Sequence, residues 1–348
     1  LQEVLLYALK AHGFIFDTAS TMMILPQNKI RIFTWHVHGS YLYYLSQGPF
    51  EIFIPVNAAR SEGYYGRGNT FPFGTNVHEV PVDELKDLCF DVLLFQSFKN
   101  YQKDQFEVLT VKQRNAPKIY LEHNTPHGTA VTTRHYVNDA DILLVHVTHF
   151  NRLMWDNGQT PTTVIPHGVT DGKVPYSGNY EKGFVAINHL PHRGRVLGWD
   201  IFRKVNRTIP LDLAGMGNEG HGIGEVLHPR LPEVRAQYRF FFHPVRHTSL
   251  ALAVCEAMMA GVPVVGLATT ELVTAINNGV NGWMHTNIDV LIDNMKGLLK
   301  DRIKAKKMGR AGQETAMELW NIQQFSKRWQ HAFEQVLASQ KQPLNLVQ

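Results

Sequence analysis

Within the stretch HTSLALAVCEAMMAGVPVVG, His247 to Gly266, one carboxylate, Glu256, sits among small and apolar residues. Thr248 suits an N-cap, Ser249 to Ala260 a helix, Gly261 a left-handed C-terminal position, and VPVVG a following strand. An unpaired carboxylate on such a buried helix is costly, so its surroundings must offer partners. At about 1.5 Å rise per residue, the Glu256 Cα stands roughly 12 Å from that of Thr248, close to the span of a nucleoside diphosphate. Free N–H groups at Ser249 and Leu250, with the positive end of the helix dipole, suit phosphate oxygens. Glu256, on the Ser249 face, can then accept hydrogen bonds from two neighbouring ribose hydroxyls. A buried Glu paired with an Arg or with backbone groups explains the same pattern equally well, so this helix alone leaves both readings open.

Other segments carry further candidates. HRGR, His192 to Arg195, follows the apolar run GFVAIN and places Arg193 and Arg195 on a loop. Arginine forks bind phosphate oxygens well, and solvated surface arginines are the plainer alternative. In TWHVHGSY, Gly39 permits close backbone approach to a phosphate. His36 and His38 beside it lack the third and fourth ligands of a metal site, so no metal is expected. LEHNTPHG puts His123 at the carboxyl end of a strand, where a hydrogen-bonded structural histidine is the competing reading. DAD, Asp139 to Asp141, directly precedes the run ILLVHV and reads as structural rather than as a metal-holding pair. AGMGNEGHGIG, which holds Gly215 and Gly217, lacks the spacing of a dinucleotide fingerprint. EGYYGRGNTFPFG, Glu62 to Gly74, combines aromatics, glycines and Arg67 in what reads as a mobile loop, a binding or lid segment whose aromatic faces edged by polar groups suit a sugar.

The elements that must position these groups follow from hydrophobic patterning. From Lys29 onward, continuous apolar runs alternate with helical patterns: IRIFTW, FEIFIPV, DVLLFQ, KIYLEH, DILLVHV and TTVIPHG, then GFVAIN, PLDLAGMG, YRFFFHP and VPVVGLA. Continuous rather than alternating hydrophobicity marks strands buried on both faces, which implies parallel βαβ units and an α/β chain. A length of 348 residues points to two domains. The Gly, Pro, Ser and charge cluster DGKVPYSGNYEKG, residues 171–183, marks the linker. The expected division is an extension at 1–28, one doubly wound domain at 29–172, a second at 173–320, and a C-terminal helix within 321–348 that packs back on the first. Ligand sites of such sheets lie beyond the carboxyl ends of their strands, and two facing sheets make a cleft.

A net charge of +4, without Lys/Arg blocks, argues against a nucleic-acid partner and fits a basic cleft for a small anion. Cys89 and Cys255 lie in apolar surroundings without metal spacing, so buried thiols and a reducing, cytoplasmic compartment are expected. Glu3, Lys10, His12 and Asp17 interrupt the apolar start, which reads neither as a spanning helix nor as a secretory leader.

The run FFFHPVRHTSLALAVCEAMMAGVPVVGLATTELVTAINNGVNGWM, with VIPHGV, GFVAINHLPHRGRVLGWDIF and LDLAGMG in order before it, resembles the retaining nucleotide-sugar glycosyltransferases of family four, glycosyl transferases group 1. The resemblance covers about residues 29–338. It implies a GT-B fold, two facing Rossmann-like domains with a deep cleft between them. It also implies transfer of a sugar from a UDP- or GDP-sugar to a hydroxyl of a glycan or glycolipid, with retention and without a metal or other cofactor, and it admits a peripheral contact with the inner membrane surface. By position, Glu256 matches the ribose-holding Glu and Arg193 the family's Lys before Gly, with Arg195 an added candidate. Gly39 matches the first Gly-rich loop, His123 the histidine that approaches the donor sugar or the acceptor, and Gly215 and Gly217 a loop near the nucleotide base. Two positions depart. Thr248 stands where the family has the first Glu of its pair, which faces donor-sugar hydroxyls, and the family's other basic residue falls near Asn188 or His189. The Thr248 departure motivates a rival reading, a sugar-nucleotide-binding protein without transfer activity. A nicotinamide-dependent dehydrogenase rests on the α/β pattern alone.

Overall fold

The computed structural model describes residues 29–339, so the expected extension at 1–28 and the last nine residues lie outside it. Two parallel sheets organise the chain. The first contains β1 (Ile30–Thr34), β2 (Phe50–Val56), β3 (Val77–Pro81), β4 (Val92–Phe95), β5 (Lys118–Glu122), β6 (Ile142–His146) and β7 (Thr162–Val164), in the order β3-β2-β1-β4-β5-β6-β7. The second contains β8 (Tyr180–Ala186), β9 (Leu211–Ala214), β10 (Tyr238–His243), β11 (Val264–Leu267) and β12 (Gly282–His285), in the order β12-β11-β10-β8-β9. Every strand pair is parallel. This is the doubly wound α/β architecture expected from the continuous apolar runs.

Burial explains which strands were legible. All residues of β4, β6 and β10 are buried, and their sequences, VLLF, ILLVH and YRFFFH, carry the unbroken hydrophobicity of strands covered on both faces. The two strands not anticipated, β3 (VHEVP) and β12 (GWMH), are edge strands of their sheets. Each is only partly buried and lacks a continuous apolar signal. Cys255 is buried as expected, but Cys89 is exposed, because it precedes β4 instead of lying within it.

After β7 the chain crosses residues 165–179 to the second sheet, and after β12 three helices follow, Ile288–Lys300, Arg302–Leu319 and Ile322–Ser339. The last returns to the first domain. Trp329 Nε1 donates to Tyr41 Oη at 2.9 Å, and the Phe333 ring meets Phe50 at 5.1 Å between centroids. Gly168 makes room for this return, since a Cβ there would overlap Phe325.

The carboxyl ends of the two sheets meet. Ser249 Oγ, after β10, donates to the His123 carbonyl, after β5, at 2.7 Å, and His167 Nε2, after β7, lies 2.8 Å from the Leu250 carbonyl. Phe150 N, after β6, donates to Glu271 Oε2, after β11, at 2.8 Å. The loops that leave the strand ends of one domain therefore line the space facing the other, which is where doubly wound sheets bind ligands.

Candidate functional site

In the second sheet the strand order reverses between β8 and β10, and crevices for ligands open at such a reversal. The loop leaving β8 carries Arg193 at the end of the short helix Leu190–Arg193, and the loop leaving β10 carries His247 to Leu250. They are tied together: Arg246 N donates to the Val196 carbonyl at 3.0 Å, and Arg246 Nη1 to the Arg195 carbonyl at 2.7 Å. The Arg193 side chain is exposed, its guanidinium has no hydrogen bond or ion pair among the described residues, and partial burial lowers its pKa. A cation without a counter-ion at a crevice suits an anionic ligand. Arg195 differs. It is 78 % exposed and pairs with Asp200 at 3.0 Å, and Asp200 also takes a two-pronged bond from Arg246 at 2.6 Å on each arm. Arg195 thus has an acidic partner in this conformation, an exposed ion pair, where Arg193 has none.

The glycines after β9 serve the architecture of this crevice. Gly215 and Gly217 have φ of +131° and +67°, and a Cβ at Gly217 would overlap His189. Their loop interlocks with the one leaving β8. Asn188 Oδ1 accepts from Met216 N at 3.0 Å, and the buried Asn218 accepts from Leu190 N at 3.0 Å while donating to the Ile187 and Gly215 carbonyls at 2.8 and 2.9 Å. Asn188 and His189, at the position where the family carries its other basic residue, are engaged in this interlock, His189 with a left-handed φ of +54°.

The helix that carries Glu256 begins later than its sequence suggests. It spans Leu252–Met259 with Ala251 as N-cap, so Ser249 and Leu250 precede it in an irregular segment and their amides are not its free first-turn donors. Thr248 does not cap it. Val254 N turns back to the Ala251 carbonyl at 3.0 Å, which leaves the amides of Leu252 and Ala253 as the first-turn donors. The reason is tertiary: Ser249 and Leu250 are buried in bonds to the first domain, and those bonds hold the chain in a bent, irregular path. The Thr248 hydroxyl, half-buried, bonds no protein group among the described residues.

Glu256 is 7 % exposed and paired. Arg235 Nη1 donates to its Oε2 at 2.8 Å and Tyr44 Oη to its Oε1 at 2.8 Å, with His228 Nε2 at 3.8 Å from Oε1. Burial by itself would raise the carboxyl pKa, but His228 and Arg235 outweigh it and hold the group down to about 2. Arg235 makes the direct bond of the two. Glu256 is therefore an anion, and in this conformation it has the protein partners that its burial demands. Beside it lies a cavity of about 30 Å³ lined by Tyr44, Thr170, Gly172, His228, Arg235 and Glu256 among others, room for a water but not for a ribose. Neither Arg235, His228 nor Tyr44 was flagged by sequence reasoning, because none lies in a motif and Tyr44 belongs to the other domain.

The first domain contributes a histidine cluster at its strand ends. The His38 and His123 rings are 3.9 Å apart, and Tyr41 meets His123 edge-on at 4.8 Å. His123 Nε2 lies 3.3 Å from Gln96 Oε1. Burial above all, with His38 and His167 nearby, pushes the His123 pKa well below 6.5, and burial takes His38 down to about 4. His123 is thus neutral at pH 7. It can hydrogen-bond a hydroxyl but cannot stabilise an anion as a cation. Gly39 does not open backbone toward a ligand here, because a Cβ there would overlap the Phe71 ring that fills the space.

His36 does not pair with His38 either; its Nδ1 lies 2.6 Å from the Gly66 carbonyl. The 62–74 segment is pinned rather than free. Arg67 N donates to Glu79 Oε1 at 2.6 Å, the Arg67 guanidinium to the Phe73 carbonyl, and Phe71 packs at 5.0 Å against His228 of the second domain. Asp139 closes a local turn, accepting from Asp141 N at 2.9 Å at the amino end of β6, away from the crevice. Among the described residues no group of three or more His, Cys, Asp or Glu side chains is arranged to hold a metal, and no helix is long and apolar enough to cross a membrane.

Comparison with known proteins places this geometry. Residues 204–301 match the family model described as Glycosyl transferases group 1. No curated protein sequence matches the chain. Among solved structures, sucrose-phosphate synthase from Thermosynechococcus elongatus superposes with a TM-score of 0.65 at 13% identity, over 89% of this chain and 100% of that one. HepE from Anabaena, solved with UDP and glucose, superposes with a TM-score of 0.65 at 12% identity, over 88% of this chain and 99% of its own. A glycosyltransferase involved in avilamycin A biosynthesis gives 0.59 at 16%, over 89% and 98%. Two parallel doubly wound sheets with facing carboxyl ends, this structural likeness and the match over residues 204–301 together make the chain a GT-B-fold protein whose second domain carries the glycosyl transferases group 1 pattern.

Proposed function

We propose that the chain is a glycosyltransferase that moves a sugar from a nucleoside diphosphate-sugar to a hydroxyl acceptor, a glycan or glycolipid, with retention of configuration. The observation that carries this is Arg193, an exposed guanidinium without an acidic partner among the described residues, on the loop that leaves β8 at the strand reversal of the second sheet. Arg193 and the amides of Leu252 and Ala253 take the diphosphate, Glu256 the ribose, and the neutral His123 a hydroxyl of the donor sugar or the acceptor. Because the leaving diphosphate develops charge, donors set in place before the reaction lower the barrier. In a retaining transfer the departing phosphate itself takes the acceptor's proton, so no protein base need ionise the acceptor.

Glu256 binds ribose only when Tyr44 withdraws with the first domain and frees Oε1 for a ligand hydroxyl, since the cavity of about 30 Å³ is too small otherwise. The test is release of nucleoside diphosphate from panels of UDP- and GDP-sugars, with and without glycan acceptors, by the native chain and by Arg193→Ala. Turnover on at least one donor, lost in the variant, is the expected result. The neutral Thr248, in place of an acid, supports one rival: saturable nucleotide binding with no turnover on any pair would establish a binding protein instead.

A further inference from the structure

The contacts of Glu256 divide by domain. Arg235 and His228 lie on the same domain as the acid, Arg235 at the end of the helix Leu231–Arg235 that leads into β10, whereas Tyr44 lies on the helix Gly39–Leu45 of the other domain. If the domains separate, Tyr44 leaves and Arg235 stays. Arg235 is 5 % exposed and holds Oε2 at 2.8 Å, so Oε1 is the oxygen that a hydroxyl approaching from the cleft can reach. Tyr44 Oη, itself a hydroxyl, marks that seat.

Two polar atoms on the same small cavity remain unsatisfied. Arg235 Nε and His228 Nδ1 are buried without a hydrogen-bond partner, and both side chains line the cavity beside Glu256 and Tyr44. An Arg Nε–H is an obligatory donor, so a buried one calls for an oxygen from outside the protein, a water or a ligand hydroxyl, in the cavity beside it. An arginine placed this way holds Glu256 with Nη1 and can meet an oxygen brought by a ligand with Nε.

We infer that Arg235, assisted by His228, is a positioning residue that orients the Glu256 carboxylate for a ribose diol, with Arg235 Nε and His228 Nδ1 completing the hydrogen bonds around it. The inference rests on the nucleotide-sugar reading above and adds to it the groups that make Glu256 selective for a ribonucleotide. Arg235 Nη1 holds Oε2 and leaves Oε1 to the ligand, while its Nε–H offers a second donor in a fixed direction, which an ammonium on a flexible stem does not.

The experiment measures Kd by titration calorimetry for UDP against 2′-deoxy-UDP and GDP against 2′-deoxy-GDP, on the full chain and on Glu256→Gln, Arg235→Gln and Arg235→Lys. Circular dichroism checks that each variant is folded. The native chain should prefer its ribonucleotide by about tenfold or more, the loss expected when a charged acceptor is deprived of a hydroxyl. Glu256→Gln and Arg235→Gln should bring the ratio near one, and Arg235→Lys should give an intermediate ratio. Should Arg235→Gln fail to fold, the Lys variant decides: a ratio equal to the native one overturns the inference. Discrimination abolished by Glu256→Gln but intact in Arg235→Gln overturns the inference and leaves the ribose reading standing. A native chain that does not discriminate in either series overturns the ribose reading and the inference with it.

Discussion

Arg193 and Arg195 stand two positions apart, both exposed, and differ in their partners. Asp200 engages Arg195, whereas Arg193 has no acidic partner among the described residues. On the proposed reading, Arg193→Ala should lower kcat by on the order of a hundredfold, as removal of one preorganised donor to a developing charge does, with a smaller change in the Kd of free nucleoside diphosphate. Steady-state donor hydrolysis and calorimetry separate the two. Arg195→Ala should change kcat little, because its charge is already spent on Asp200; an equal loss in both variants would show that the assignment confuses them. The sequence motif HRGR offered both arginines and no means of choosing, since the acid that settles the matter pairs with Arg195 through side-chain geometry and with Arg246 from another strand end.

Between elements, the interlock of the loops after β8 and β9 supports the crevice. Asn218, 1 % exposed, makes three hydrogen bonds that join Leu190, Ile187 and Gly215. Asn218→Ala leaves a buried N–H and two carbonyls unmatched and should cost about 1–3 kcal/mol or more, read by urea unfolding. The helix Gly39–Leu45 offers a second test. Tyr44→Phe removes the donor that occupies Glu256 Oε1, so nucleoside diphosphate should bind more tightly while thermal stability falls. Tighter binding requires that Tyr44 and the ligand compete for one oxygen; weaker binding would mean that Tyr44 supports the bound state instead. Element identity was largely legible, as in β6 and β10, but boundaries were not. The later start of the Glu256 helix depends on bonds from Ser249 and Leu250 to His123 and His167, residues more than 80 positions away in sequence.

For the molecule as a whole, burial of histidines sets the response to acid. His38, His146, His167 and His243 are each pushed from 6.5 down to about 4, burial being the leading cause. Between those values the unfolded chain binds protons that the folded chain does not, so their contribution is fully present above about 6.5 and is lost as pH falls toward 4. Glu256, lowered from 4.5 to about 2, adds the same sign at lower pH, stabilising above 4.5 and losing that effect toward 2. The Tm should therefore fall by at least about 5 °C between about pH 7.5 and pH 5.5, a shift of a few kcal/mol for a protein of this size. A flat profile by calorimetry over that range would mean these histidines are hydrated.

The α/β class, the two domains and the core strands were written in local patterns, because a strand covered on both faces must be apolar along its whole length. The edge strands β3 and β12, half open to solvent, carry no such mark. Glu256 was conspicuous as a charge in an apolar run, but its partners were not. Arg235 and Tyr44 stand 21 and 212 positions away, and no local pattern encodes which side chains a chain crossing between two sheets will bring against a buried acid. Packing alone makes that choice, since a desolvated carboxylate persists only where the fold delivers donors to both of its oxygens.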